Sequence, residues 1–356
     1  MSSSYFSPDY ASARDRFCQA ATEAGARLDE LTLKARGPQQ EKLTINLAWL
    51  GAENPDRVLL HTSGVHGVEG FTGSAIQLQL LQRPPELSES DALVVVHGIN
   101  PYGMAWGRRF NENNVDLNRN FLTAGEPFEG APEGYRLLNA LLNPESPPRK
   151  WDMFYPRLVG FILRYGFNNL KQAIAGGQYH YRRGLFFGGH QLEEGPALLL
   201  DWFKGHFHGV KRIGAIDIHT GLGKYGIDSL LVSYGSDTEI FNTLRDRLGD
   251  RITPQGPSGV AYLIQGLFIE ALEREIPDAD WTCMVQEFGT YPGLPMLNAL
   301  RQENRWHHFG RKDQLDHPVK QQLLRRFSPN DVTWQNQILK RGKELIDNMA
   351  ALVLDR

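Results

Sequence analysis

The chain has 356 residues, is 41% hydrophobic and carries a formal net charge of -3, with acidic and basic residues intermixed. That length can bury one large α/β core or two smaller ones, and the even charge pattern excludes a basic nucleic-acid stripe or a charged tail. No apolar run approaches the roughly 20 residues of a membrane span.

Residues 11–26 are alanine-rich, with Phe17 and Ala21 on one face, and predict an opening helix. The runs 43–50 and 58–62 predict strands, 64–70 a glycine-punctuated turn and 73–81 a helix. Residues 93–96 predict a buried strand, followed by the turn Asn100-Pro101-Tyr102-Gly103. Residues 123–209 are rich in proline, glycine and aromatic side chains and read as an elaborated insertion of helices and loops. Strands are predicted over 213–218, 230–233 and 284–288, and helices over 239–248 and 335–354. Short apolar strands alternating with helices predict an α/β domain, 1–356, with a mainly parallel sheet covered on both faces. Met1-Ser2-Ser3-Ser4-Tyr5 lacks the basic and apolar stretches of a signal peptide. With Cys18 and Cys283 the only cysteines, free thiols in a reducing cytoplasm are expected.

The informative residues fall at the ends of predicted strands, where open α/β sheets place their sites. His66-Gly67-Val68-Glu69 sets a histidine and a carboxylate three apart, and Asp217-Ile218-His219 follows about 150 residues later. Two imidazoles and one carboxylate leave a fourth position open, as in a catalytic zinc site. Taken alone, His66 reads more readily as a loop histidine bonded to backbone, and it is His219 that turns the reading toward a metal ligand. Asp217 shares a strand face with His219 and can orient it or line the site.

Val115-Asp116-Leu117-Asn118-Arg119-Asn120-Phe121 brings an amide beside a guanidinium. An arginine fork matches a carboxylate bidentately, so Asn118 and Arg119 form a candidate carboxylate clamp. Arg108 or Arg109 can reach a scissile carbonyl and stabilise its developing oxyanion. Glu287 lies amid the apolar run 284–288, where a glutamate must be paired or working, and is the candidate general base. His206 with His208, and His307 with His308, lack a carboxylate at ligand spacing and read as surface or packing residues.

Together these residues resemble the zinc metallocarboxypeptidase superfamily, with its H-x-x-E pair, central Asn-Arg, strand-end His and late Glu in the same order. The segments GVHGVEGF (64–71), RRFNENNVDLNRNF (108–121) and GGQYHYRRGLFFGG (176–189) resemble a bacterial branch known mainly as a domain of unknown function. Asp217-Ile218-His219 is also similar to the D-L-H motif of the succinylglutamate desuccinylase and aspartoacylase branch. The resemblance implies a single three-layer α/β/α domain around a mostly parallel, mixed and twisted sheet. It implies one Zn2+ per chain on His66, Glu69 and His219, Asn118 and Arg119 as the clamp, and Glu287 as general base. The capping tyrosine of classical carboxypeptidases has no clear counterpart, leaving Tyr262 and Tyr291 as candidates, and Arg108 and Arg109 stay alternatives.

The expected activity is cytoplasmic, zinc-dependent hydrolysis of an amide bond next to a free carboxylate, on a small peptide or an N-acyl amino acid, without nucleic acid or membrane. An N-acyl-amino-acid deacylase whose clamp grips a different carboxylate is the rival within enzymes. The rival outside them is a zinc-stabilised binding protein, which calls for a closed site of four protein ligands. The segment 177–184 is polar and aromatic, and is expected to line the mouth of the pocket.

Overall fold

The computed structural model describes residues 5–149, 151–254 and 264–354. Eight strands, β1 (Arg27–Arg36), β2 (Lys42–Gly51), β3 (Arg57–Ser63), β4 (Asp91–His97), β5 (Arg212–Thr220), β6 (Asp228–Val232), β7 (Ile252–Pro254) and β8 (Asp280–Phe288), form one mixed sheet. Their spatial order is β1-β2-β4-β3-β5-β8-β6-β7. The four central strands, β4, β3, β5 and β8, run parallel, and β1, β2 and β6 join through antiparallel pairings.

Side chains alternate across a strand, so each central strand feeds two cores. Leu59, Leu93, Val95, Ile216 and Ile218 meet the helices Tyr10–Glu23, Gly70–Gln82 and Val332–Val353 on one face. Val58, Leu60, Val94, Val96, Ile213 and Ala215 meet the helices Glu194–His206 and Phe268–Glu275 on the other. Burial on both faces explains why β3 and β4 read as continuous apolar runs.

A third cluster joins the insertion helices Glu133–Leu142, Phe154–Tyr165 and Phe167–Ala175 to the helices Gly293–Phe309 and Pro318–Phe327 through Leu138, Phe154, Leu158, Leu170, Leu300 and Phe327. Asp152 locks this packing by accepting from Arg301 Nη1 at 2.6 Å. The helix Glu194–His206, inside the stretch expected to be an elaboration, belongs instead to the layer covering the sheet.

The predicted turn at Asn100-Pro101-Tyr102-Gly103 is a short helix, Pro101–Ala105. Asn100 Oδ1 caps it by accepting from Gly103 N at 2.8 Å, and proline suits its first position. The edge strand β1 escaped the pattern because all but one of its residues are exposed or half-exposed and half are charged, as suits an open sheet edge. Among the described residues no helix is long and apolar enough to cross a membrane. Tyr262 lies outside the described residues.

Candidate metal centre

Three chain segments converge at the carboxyl ends of the parallel strands. His66 follows β3 in extended conformation and opens a single 3-10 turn, Gly67–Glu69, that runs into the helix Gly70–Gln82. The turn folds tightly because Gly67 lies against Gly103, whose backbone a Cβ at Gly67 would meet at 2.1 Å. Val68 N and Gly67 N donate to the carbonyls of Arg108 and Arg109, tying the turn to the arginine segment. His219 stands on β5, and Glu287 is its register partner on β8.

His66, Glu69 and His219 are all buried, and their ligand atoms lie within 4.8 Å of one another. Glu69 sits between the imidazoles, with Oε1 at 3.0 Å from His66 Nδ1 and Oε2 at 3.4 Å from His219 Nδ1. The far nitrogens are tied back, His66 Nε2 to Asp116 Oδ1 at 3.0 Å and His219 Nε2 to Asp217 Oδ2 at 2.7 Å. A carboxylate on the far nitrogen fixes the proton there and aims the Nδ1 lone pair at the shared point. His66 Nδ1 is buried and makes no hydrogen bond among the described residues. This donor set suits a four-coordinate divalent ion such as zinc.

Asp116 is the residue sequence reasoning left without a role. It is fully buried and holds three groups at once, its Oδ1 also accepting from Asn118 N at 3.2 Å and its Oδ2 from Arg109 Nε at 3.0 Å. The signal was available, since an acid between Val115 and Leu117 needs partners. Burial works against its charge, but Arg109 and His66 hold its carboxyl well below the usual range. Arg109 Nη1 reaches Glu69 Oε1 at 2.8 Å, and its Nη2 approaches His66 Nε2 at 2.8 Å. That second contact needs the opposite His66 tautomer, so the tautomer that offers Nδ1 keeps the Asp116 bond and gives up the contact with Arg109 Nη2.

The paired arginines separate cleanly. Arg109 lines the cavity beside Glu69. Arg108 points into the protein, donating to Glu303 Oε1 at 2.9 Å and to Asn114 and Asn304, and is fully buried. It does not line the cavity.

Asn118 and Arg119 occupy a 3-10 turn, Leu117–Arg119, and both face the cavity. Asn118 Oδ1 accepts from Phe268 N at 3.0 Å, which leaves its amide nitrogen as the donor. Arg119 is oriented by the insertion, through Nε and Nη2 to the Ala175 carbonyl at 3.1 and 2.6 Å. The segment 177–184 buttresses this arginine and does not line the cavity, contrary to expectation. Gly177, at φ +94°, packs on its side chain, and Tyr179 Oη donates to its carbonyl at 2.8 Å.

Glu287 lines the same cavity, accepts from Leu222 N at 2.8 Å and makes no ion pair among the described residues. Burial and the neighbouring Glu69 charge push its carboxyl up to about 7. Tyr291 lies outside the cavity lining, against Tyr225 and beneath Arg326. His61 and His97 are buried in the sheet beside Gln77 and Ser74.

A family sequence model described as a protein of unknown function (DUF2817) matches residues 6–341. No curated protein matches the chain. Among solved structures, carboxypeptidase A from Helicoverpa armigera superposes with a TM-score of 0.50 at 14% identity, covering 97% of this chain and 74% of that one. A candidate metallopeptidase from Shewanella amazonensis gives 0.47 at 16% identity, covering 98% and 94%. The murein-tripeptide amidase MpaA from Escherichia coli O157 gives 0.40 at 18%, covering 80% and 96%. The first of these establishes a carboxypeptidase A-like α/β fold, as the sequence motifs implied.

Proposed function

This chain belongs to the protein family of unknown function DUF2817, and we propose that it acts as a zinc-dependent hydrolase of an amide bond beside a free carboxylate. The observation that carries this reading is the meeting, in one cavity of about 400 Å³, of the His66–Glu69–His219 cluster, the buried Glu287 and the side chains of Asn118 and Arg119. An ion held by the cluster supplies Lewis acidity to water and to the substrate carbonyl.

The remaining work falls to the chain. Glu287, poised near neutrality, accepts the water proton and returns it to the departing amine. Arg109, lying against Glu69, offers its guanidinium to the carbonyl oxygen as negative charge develops there. Asn118 and Arg119 hold the substrate carboxylate, which places the neighbouring amide at the cluster. Asp116 and Asp217 position the histidines.

The test incubates zinc-loaded protein with peptides and N-acyl amino acids, with products read by mass spectrometry beside Glu287→Gln. Release of a carboxylate-bearing fragment by the unmodified protein, and not by the variant, is the expected result. Intact substrates throughout the panel would overturn the hydrolase reading.

A further inference from the structure

The cavity is divided in chemistry. One end carries the cluster, Glu287, Arg109 and the Asn118–Arg119 pair. The apolar part of the lining comes from the insertion helices Phe154–Tyr165 and Phe167–Ala175, which meet Arg119 at Ala175, and from the helix Gly293–Phe309. Leu158, Ile162, Leu170 and Ile174 come from the first two helices, and Leu297 and Leu300 from the third. Among the described residues, Lys171 is the one charged side chain that these three helices add to the lining.

We propose that this apolar half receives a hydrocarbon acyl chain, so that the substrate is an N-acyl amino acid with a medium-length fatty acyl group. The inference rests on the hydrolase reading for its reaction, but its binding claim stands apart from it. A peptide extending into this half would bring an N–H and a C=O at every residue. Beyond the first turns at Phe167 and Gly293–Leu294, the helix walls use their backbone groups internally, so most peptide groups buried there would lose water without gaining a partner. An acyl chain carries no such groups and gains from every methylene it buries. The polar end would take the amino acid carboxylate, and the amide would lie where the two halves meet. In the reaction, water adds its oxygen to the acyl carbon as the C–N bond breaks. The amine nitrogen takes up a proton, and the products are the fatty acid and the free amino acid.

The walls also show which residues test the idea. Ile162 is half-buried and faces the cavity, whereas Leu163, next to it, is 83% exposed on the outer surface of the same helix. A charge at position 162 therefore meets the chain from a half-buried site at the margin of the third cluster.

Calorimetry with metal-free Glu287→Gln protein and N-acetyl-, N-hexanoyl- and N-decanoyl-L-alanine reads binding without turnover. Affinity is expected to climb with chain length, by at least about a hundredfold from acetyl to decanoyl, given that one buried methylene is worth up to about fourfold. Ile162→Asp and Leu297→Asn, made separately, should each flatten that slope, while Leu163→Ser keeps it. Affinity that is independent of chain length, or a slope that survives both wall variants, overturns the proposal. A slope in binding with no hydrolysis by zinc-loaded protein supports the acyl cavity and overturns the hydrolase reading. Hydrolysis of N-acetyl-L-alanine and peptides with no chain-length slope in binding does the reverse.

Discussion

His219 and Glu287 are register partners on the neighbouring parallel strands β5 and β8. The relation is set by backbone hydrogen bonds, so a proposed metal ligand and the proposed base keep one spacing for as long as the two strands pair. Both are buried, and the carboxyl of Glu287 rises to about 7 because burial and Glu69 disfavour its charge. Glu287→Gln preserves the shape and the bond from Leu222 but cannot accept a proton. A fall in kcat of about 10²–10⁴-fold is expected, with zinc content by atomic absorption unchanged. Activity within a few-fold of the unmodified protein would remove Glu287 from the base role.

Metal uptake should depend on pH through His219. Burial disfavours its imidazolium, but the charges and hydrogen bonds of Asp217 and Glu69 outweigh that and raise it well above its ordinary value. A proton therefore competes with a metal for this ring, because a metal can bind only the neutral form. Each ion taken up displaces a proton from this site, so affinity should rise with pH, approaching tenfold per unit while His219 remains protonated. Zinc titrations of chelator-stripped protein at pH 6, 7 and 8 measure this slope. A flat profile would show that His219 is already neutral or is not a ligand.

The insertion reaches Arg119, half of the proposed clamp, through Gly177. Its φ of +94° already disfavours any side chain, and a Cβ there would lie 2.8 Å from Arg119 Cδ. Gly177→Ala should therefore push Arg119 away from the position in which Ala175 holds it. If Arg119 binds the substrate carboxylate, KM rises about tenfold or more while kcat changes less. An unchanged KM in folded Gly177→Ala protein would separate Arg119 from substrate binding.

Much of this was legible in the sequence because parallel strands buried on both faces leave unbroken apolar runs, and the site hangs on their ends. His66, Glu69, His219, Asn118, Arg119 and Glu287 could be picked out as polar groups at those ends, and the structure brings all six to one cavity. Asp116 was passed over because its partners, His66 and Arg109, lie on other segments whose proximity only the folded chain creates. The choice between Arg108 and Arg109 could not be read for a similar reason. Neighbours in sequence, they point in different directions, and what captures Arg108 is Glu303, 195 residues further on. The segment 177–184 looked like a pocket mouth by composition, yet its tyrosine and glycine are spent on Arg119.

The two arginines should also part in experiment. Arg108 and Lys320 share the buried Glu303, with Lys320 Nζ at 2.6 Å from the same Oε1 that Arg108 approaches. Burial, opposed by Glu303 and reinforced by Arg108, brings Lys320 down to about 8, yet it still carries charge at neutral pH. Replacing Arg108 by methionine takes one partner from Glu303 and donors from Asn114 and Asn304. Breaking a buried charged pair costs about 3–5 kcal/mol, and the partner that Lys320 still supplies puts Arg108→Met toward the lower end. Arg109→Met removes a guanidinium from the cavity wall, and should cost about 10²–10³-fold in kcat if that group meets the oxyanion. Urea midpoints and kcat, measured on both variants, decide between the roles. Arg108 is structural if its variant loses stability while the surviving folded protein turns over normally. A large loss of kcat in Arg108→Met at unchanged stability would return it to the site and leave the geometry of Glu303 unexplained.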